Sequence, residues 1–561
     1  MNILISFLVF ISSATTISLL ISQIQNHLTV GGALTALILG ILVGVLAFCF
    51  CRKRDLSIPS LVPFDYLISF LFSLFFARQF LWVYFFRDGS LQTLSANAFG
   101  DLPLHLDFIA QFARGVPIWP RNPIFPYVDL HYPFGVDLLT AVFVKLHIPL
   151  ETILPVLGIL GTLCILVSLL AWGKGFAVAA FLFSGGFAGF EFLSHFLLKD
   201  YQADLAWKSL SLALLLPQRG FLFAFPIGLV LLWSWRRRFL QGKQGMPVYI
   251  EALLYGTLPI IHLHTFFFLS ILIAIWTIAL KNYRKVAPLL ALAFIPATYE
   301  TLFVSGFFKQ GSLIWIESGW MVQDQNIIWF FLKNYGLFVP LAWYACFLSI
   351  KVKSREHRLL VIPALSIYYI LLFVMFAPWD WDNTKIMVWC YILLLPSLSE
   401  LILDQLKPLF RYPLYIILFF SGFISILSAY VPSNKGFEIV PLVEYDGVCN
   451  ALKDIDATAI FAVSQKHNHP VMMCGQTVVV GYAGHLWSHG LKAEPIVKLF
   501  NRFMAGESDW KEIAHELNIQ YVFWGSREQS DFPNSHLPFM LDNMKLTEGP
   551  WGKIYDLKEI K

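Results

Sequence analysis

The chain has 561 residues, 57% of them hydrophobic and 14% charged, with a mean hydropathy of +0.66. That leaves too little polar surface to clothe a water-soluble globule, so lipid has to cover the remainder. The formal charge of +4 is small, and Lys and Arg fall in short clusters between apolar runs, which suits loop anchoring and excludes a nucleic-acid surface.

Apolar stretches predict about thirteen transmembrane helices, over 2–22, 30–50, 62–86, 153–172, 176–197, 218–235, 248–264, 265–281, 286–305, 328–350, 359–377, 385–404 and 413–430. The pair on either side of His264 also reads as one long broken helix. The first run lacks a basic flank and a small-residue cleavage site, so it is expected to be retained rather than removed as a signal peptide. The clusters Arg52-Lys53-Arg54, Arg236-Arg237-Arg238 with Lys243, Lys281 with Arg284-Lys285, and Lys351-Lys353-Arg355-Arg358 all fall on one side under this count, which is then cytoplasmic. The loop 87–150, the segments 199–217 and 306–327, the turn around Trp379 and everything after Val431 are expected to be external.

Beyond Val431 the pattern changes. Strand-like runs at Ala459–Val463, Thr477–Val480 and Tyr521–Trp524 alternate with amphipathic stretches near 493–504 and 509–518, which predicts a small α/β domain. The expected organisation is two additional helices over 1–60, a transmembrane domain over 61–430 carrying the external loop 87–150, and an external α/β domain over 431–561. Cys49, Cys51, Cys164, Cys346 and Cys390 lie in or beside apolar runs and read as buried small hydrophobes. Cys449 and Cys474 share the C-terminal domain, where a disulfide is open to them in an oxidising compartment.

Candidate chemistry begins in the first external loop, at Gly100-Asp101-Leu102-Pro103-Leu104-His105. Asp101 reads as the N-cap of a helix lying on the membrane surface, with Pro103 in its first turn and Leu104, Phe108 and Phe112 along one face. Four positions separate Asp101 from His105, so both project into one patch. A capping Asp beside an interfacial His accounts for the pair, and so does a carboxylate base assisted by an imidazole. Asp107 is expected on a different face. Arg219, at the outer end of a span, is either a snorkelling anchor or a clamp on a lipid-linked phosphate. His262 and His264 interrupt an apolar run, where an ionisable group calls for a cavity or a polar partner, and Glu300 either faces that cavity or is a buried hydrogen-bonded carboxyl. In the turn Trp379–Lys385, Asp382 is a helix cap, and Lys385 is matched to a phosphate or to Asp382. His467, His469, His485 and His489 cluster in the C-terminal domain without the tight spacing of a structural zinc site.

These motifs resemble the C-type (GT-C) membrane glycosyltransferase superfamily, in an uncharacterised bacterial-like branch. The cues are Gly100 to His105 with Asn122 to Tyr127, Gln218-Arg219, Trp381-Asp382-Asn383 with Lys385, His467 to Pro470, and Gly481 to Gly490. The resemblance implies a polytopic α-helical membrane protein, GT-C-like, with a C-terminal soluble α/β domain in the periplasm or outside a bacterial inner membrane. It implies an inverting enzyme that moves a sugar from a polyprenyl-phosphate donor to a glycan, lipid or protein acceptor on the external face. Asp101 and His105 would be catalytic, while Arg219, His262, His264, Asp382, Lys385, His469, Trp487 and His489 would bind substrate. The Asp-x-Asp of metal-dependent members is missing, so a divalent metal stays open without being indicated, and no cofactor is assigned. A flippase for a lipid-linked glycan also places Arg and His inside a bundle, but the inverted repeats of transporters are not seen. A noncatalytic scaffold is the third alternative.

Overall fold

A computed structural model describes residues 1–306, 314–323, 325–431 and 435–558. The expected external segment 306–327 therefore lies partly outside the described residues. Among those described, eight helices are long and apolar enough to cross a membrane: Asn2–Ile24, Val30–Cys51, Pro63–Leu81, Leu150–Leu182, Leu263–Leu280, Tyr283–Val304, Asp380–Gln405 and Pro408–Ser428. The chain is an integral membrane protein. The other expected spans fall on shorter or interrupted helices, namely Arg219–Trp235, Val248–Gly256 with Leu258–Ile261, Ile327–Tyr335 with Phe338–Lys351, and Arg355–Leu371.

Packing divides the chain into two compact units. The first comprises Met1–Thr16, Leu37–Phe80 and Val156–Lys435, and the second comprises Ile17–Ala36, Leu81–Pro155 and Gly436–Lys561.

In the first unit the interruptions have local polar causes. Helix Leu150–Leu182 leaves helical geometry at Gly173 and Lys174, the latter at φ +53°. The buried Asp65 carboxylate accepts from Gly175 N–H at 2.8 Å just past the break, and from Val62 N–H at 2.8 Å ahead of its own helix. Helicity expected over 176–197 stops at Leu182, because Ser184 and the glycines behind it serve tertiary contacts. The Ser184 hydroxyl accepts from Leu210 N–H at 3.0 Å, and a Cβ on Gly186 would meet Lys333 O at 2.4 Å. At the second break, His262 is extended (φ −164°) between Leu258–Ile261 and Leu263–Leu280. Glu300 is the buried hydrogen-bonded carboxyl, accepting from Ile260 N–H and from the Thr16 hydroxyl, each at 3.2 Å. A broken helix inside lipid survives only where its exposed backbone groups find such partners.

The second unit joins the early loop to the C-terminal region by two sheets. Phe85–Arg87, Ser90–Thr93 and Phe437–Pro441 form an antiparallel three-stranded sheet in that order. The other sheet has five strands, ordered Thr477–Val478, Ile460–Ala462, Tyr521–Trp524, Gly552–Asp556 and Lys545–Gly549. Its first three strands are parallel (Ile460↔Thr477, Phe461↔Tyr521) and the last two run antiparallel. The run Tyr521–Trp524 is apolar at every position and buried at every position, as a central strand covered on both faces requires. Past the edge strand, Val478 N–H donates to Pro123 O at 2.8 Å and Gly481 N–H to Ile124 O at 2.9 Å, so the early loop continues the sheet. Cys449 and Cys474 are joined by a disulfide.

Candidate functional site

Helix Ala96–Arg114 carries the first candidate pair. Its N-cap is Ser95, whose side chain accepts from Ala98 N–H at 3.3 Å. Asp101 therefore lies one turn inside the helix rather than at its cap, and Pro103 sits in the interior rather than in the first turn. Nor does the helix lie on a surface. Leu102, Leu104, Leu106, Phe108, Ile109 and Phe112 are all buried, so apolar residues enclose it on nearly every side. Arg114 ends it by donating to four carbonyls, Cys474 (3.0 Å), Gly475 (3.2 Å), Leu452 (2.8 Å) and Ile455 (2.6 Å).

The His105 imidazole is paired with a residue the sequence reading missed. Its Nδ1 lies 2.8 Å from Oδ2 of Asp137, which stands in the first turn of helix Gly135–Lys145. His105 is 4% exposed and Asp137 2%. The available signal was a carboxylate alone in an apolar helical run, a placement that demands a partner. Asp107 is fully buried, and among the described residues the Gln111 side chain is the donor facing it, short of a well-formed hydrogen bond. Burial pushes its carboxyl well above the usual aspartate range, against the opposing pull of Gln111 and Arg114 on the same helix.

Around the head of this helix the C-terminal histidines gather. The His467 ring meets Phe99 edge-on at 4.8 Å and Tyr482 at 5.6 Å, and Tyr482 meets His485 at 5.4 Å. His489 lies 5.5 Å from the Tyr132 ring, which is 6.2 Å from His105. Burial pulls the His485 imidazole down to about 3, with His489, His467 and His105 acting the same way against a backbone hydrogen bond with Gly100. Burial also lowers His467, helped by Arg527. Trp487 is 55% exposed on the short helix Ala483–Ser488. His469 is not part of this group. It is enclosed, with Nε2 2.9 Å from the buried Glu528 and Nδ1 accepting from Val471 N–H at 3.2 Å. Burial alone would raise Glu528, but His469 and the N–H groups of Ser464 and Gly525 outweigh it and hold the carboxyl below its usual range. With both ring nitrogens and the carboxylate occupied, His469 fastens the helix Pro470–Met473 to the end of a strand and has no group left for a substrate.

The first unit assembles the remaining candidates. Arg219 opens helix Arg219–Trp235, and Gly220 beside it lets the backbone approach the broken segment so closely that a Cβ would meet Ile261 O at 2.4 Å and His262 Cδ2 at 3.9 Å. His262 Nδ1 bonds Thr265 Oγ1 at 2.9 Å, and its ring is 5.3 Å from His264. Two buried atoms here, His262 Nε2 and Gln218 Oε1, have no hydrogen-bond partner among the described residues. Lys385 is paired with Asp382 at 2.5 Å, and both rank among the charged groups acting on His264. The N-cap of that helix is Trp379, not Asp382, and it makes no side-chain cap bond. Asn383 shapes the turn, accepting from Phe376 and Ala377 N–H (2.7 and 3.1 Å) and donating to the carbonyls of Ala377 and Trp379 (2.8 and 3.1 Å). Among the described residues no group of three or more His, Cys, Asp or Glu is arranged to hold a metal ion.

No family model and no curated protein matches the chain. Among solved structures it is similar to the oligosaccharyltransferase of Archaeoglobus fulgidus in the apo form, at 11% identity and a TM-score of 0.40, over 82% of this chain and 69% of that one. It is also similar to that enzyme tethered to an acceptor peptide containing the NVT sequon, at 15% identity and a TM-score of 0.26, over 86% and 63%. A third similar structure is AglB from the same organism in complex with an inhibitory peptide and a dolichol-phosphate, at 12% identity and a TM-score of 0.27, over 89% and 66%. The chain spans less than two thirds of the length of the second and third.

Proposed function

We propose that the chain is a membrane glycosyltransferase that takes a sugar from a polyprenyl-phosphate carrier and gives it to an acceptor hydroxyl of a glycan, lipid or protein on the external face, with inversion. The observation that carries this reading is convergence within the second unit. Gly100–His105, His467–Pro470 and Gly481–Gly490 are far apart in sequence, yet His467 packs on Phe99, and His105, His467 and His489 all act on His485. Proton-accepting groups are thus gathered at one helix head, as deprotonation of an acceptor requires. Taken by itself, the first unit holds Lys385 paired with Asp382 and acting on His262 and His264, and these groups with Arg219 are a candidate set for binding a phosphate. Trp487 and His489 present rings to a sugar or other acceptor. The lipid tail explains why such chemistry is built into a membrane protein.

The test is the glycan and glycolipid profile of a strain deleted for this chain, restored with the wild type or with Asp101→Asn/His105→Gln. Wild type is expected to restore a missing species and the double variant to leave it at least about 10²-fold lower at equal expression. An unchanged profile in the deletion strain would sink the reading. Arg219→Ala and Lys385→Ala are expected to raise the donor KM more than the acceptor KM, and unchanged donor use in both would remove them from the phosphate-binding set.

A further inference from the structure

Most of the polar groups in the second unit have structural work that accounts for them, but the His105–Asp137 pair has a chemical form of its own. Nδ1 and Oδ2 are 2.8 Å apart in an almost fully buried setting. The two helices that supply them are fixed together, with Lys145 Nζ donating to Ala113 O at 2.8 Å and Phe112 packing on Phe134 at 4.8 Å between ring centroids. Whenever the carboxylate is ionised it can only accept, which places the proton between the two on Nδ1 and the lone pair of the ring on Nε2. With Nδ1 committed to Asp137, Nε2 is the ring nitrogen left to meet an acceptor.

Resting on the transferase reading above, we propose that His105 is the proton acceptor of the transfer step and that Asp137 is its positioning residue. The acceptor's proton passes to His105 Nε2 while the acceptor atom forms its bond to the anomeric carbon. The bond from that carbon to the carrier phosphate breaks, and its electron pair leaves with the phosphate. The imidazolium so formed faces the Asp137 carboxylate at hydrogen-bond distance, which stabilises the charge and keeps the ring in the tautomer that the next cycle needs. In this scheme Asp101, one turn earlier on the same helix, is not the group that takes the proton. His485 is a poor rival, since burial, with His489, His467 and His105 acting the same way, pulls its imidazole down.

Membranes from the deletion strain carrying the full chain supply the assay, with the rate of forming the restored glycan from the membranes' own donor lipid as the readout. His105→Ala is expected to fall about 10³-fold and to regain at least about 10-fold with added imidazole, whereas Asp101→Asn gains nothing from imidazole. Asp137→Asn keeps the shape but not the charge, so it is expected to lose about 10²-fold in kcat with donor KM unchanged, and Asp137→Glu to recover part of that. Asp137→Asn at the wild-type rate, or folded His105→Ala with no imidazole rescue, would overturn the proposal while the transferase reading stands. If His105→Ala melts early, His105→Gln decides in its place, and full activity there overturns the proposal. A wild-type chain that forms no glycan overturns both, and that outcome is read on the wild-type arm alone.

Discussion

A carboxyl group buried in an apolar helix holds its proton above the pH at which water would take it away. Asp107 is in that position, raised by burial against Gln111 and Arg114. The folded chain then binds a proton that the unfolded chain releases, so its stability falls as pH rises above the usual aspartate range. Asp107→Asn removes the ionisation and leaves the shape. The variant and the wild type are expected to melt alike near about pH 4, with the variant ahead by about 1 kcal/mol or more near about pH 8. Parallel melting curves across that range would show that Asp107 is ionised in the folded state. At this scale the sequence exposed Asp101 and His105 through their motif, but not their settings. Ser95 took the cap because nothing in Ser-Ala-Asn-Ala-Phe-Gly marks where the apolar period starts. Asp137 was hidden because its partner lies 32 positions away and only tertiary packing brings them together.

Elements were more legible where chain chemistry alone ends a helix. The interruption at His262 was visible, since two imidazoles in an apolar run cannot be left without polar company. The stop at Leu182 was not, because it depends on Gly186 meeting the backbone at Lys333, which composition does not reveal. In the second unit the helix Ala96–Arg114 is tied to the C-terminal region by Arg114, whose four acceptor carbonyls include Cys474 of the disulfide. That disulfide closes a loop with a sequence separation of 25, and such cross-links stabilise by about 3 kcal/mol. Cys449→Ser is therefore expected to lower the thermal midpoint and to slow transfer through the loosened Arg114 anchor. Alkylation with and without reductant provides the control, since the wild type should take up two more alkyl groups only after reduction of Cys449 and Cys474. Equal labelling in both conditions would remove the disulfide from the argument.

At the scale of the whole molecule the question is which way the chain crosses the bilayer. Helix Arg219–Trp235 has Arg219 at one end and the Arg236–Arg238 cluster at the other, about 25 Å apart at helical rise. The basic clusters meet at the second end. Arg54 donates to Gly245 O at 2.8 Å, Arg237 to Asp55 O at 2.8 Å, and Arg236 binds Glu356 and Glu400 at 2.6 and 2.8 Å. The last apolar helix, Pro408–Ser428, starts at that end too, just after a turn in which Gln405 donates to Glu400 O at 3.0 Å, so the chain leaves it toward the opposite side. Positive charge is as a rule retained in the cytoplasm, so the Arg236 end is expected inside and the residues after Val431 are expected outside. An alkaline phosphatase fused after Lys561 is then expected to be active and a fluorescent protein at the same place dark, with the reverse for fusions in the loop at Lys243. Oxidation of Cys449 and Cys474 agrees with an oxidising compartment. A bright fluorescent fusion after Lys561 would place that region in the cytoplasm and remove the external acceptor from the proposed reaction.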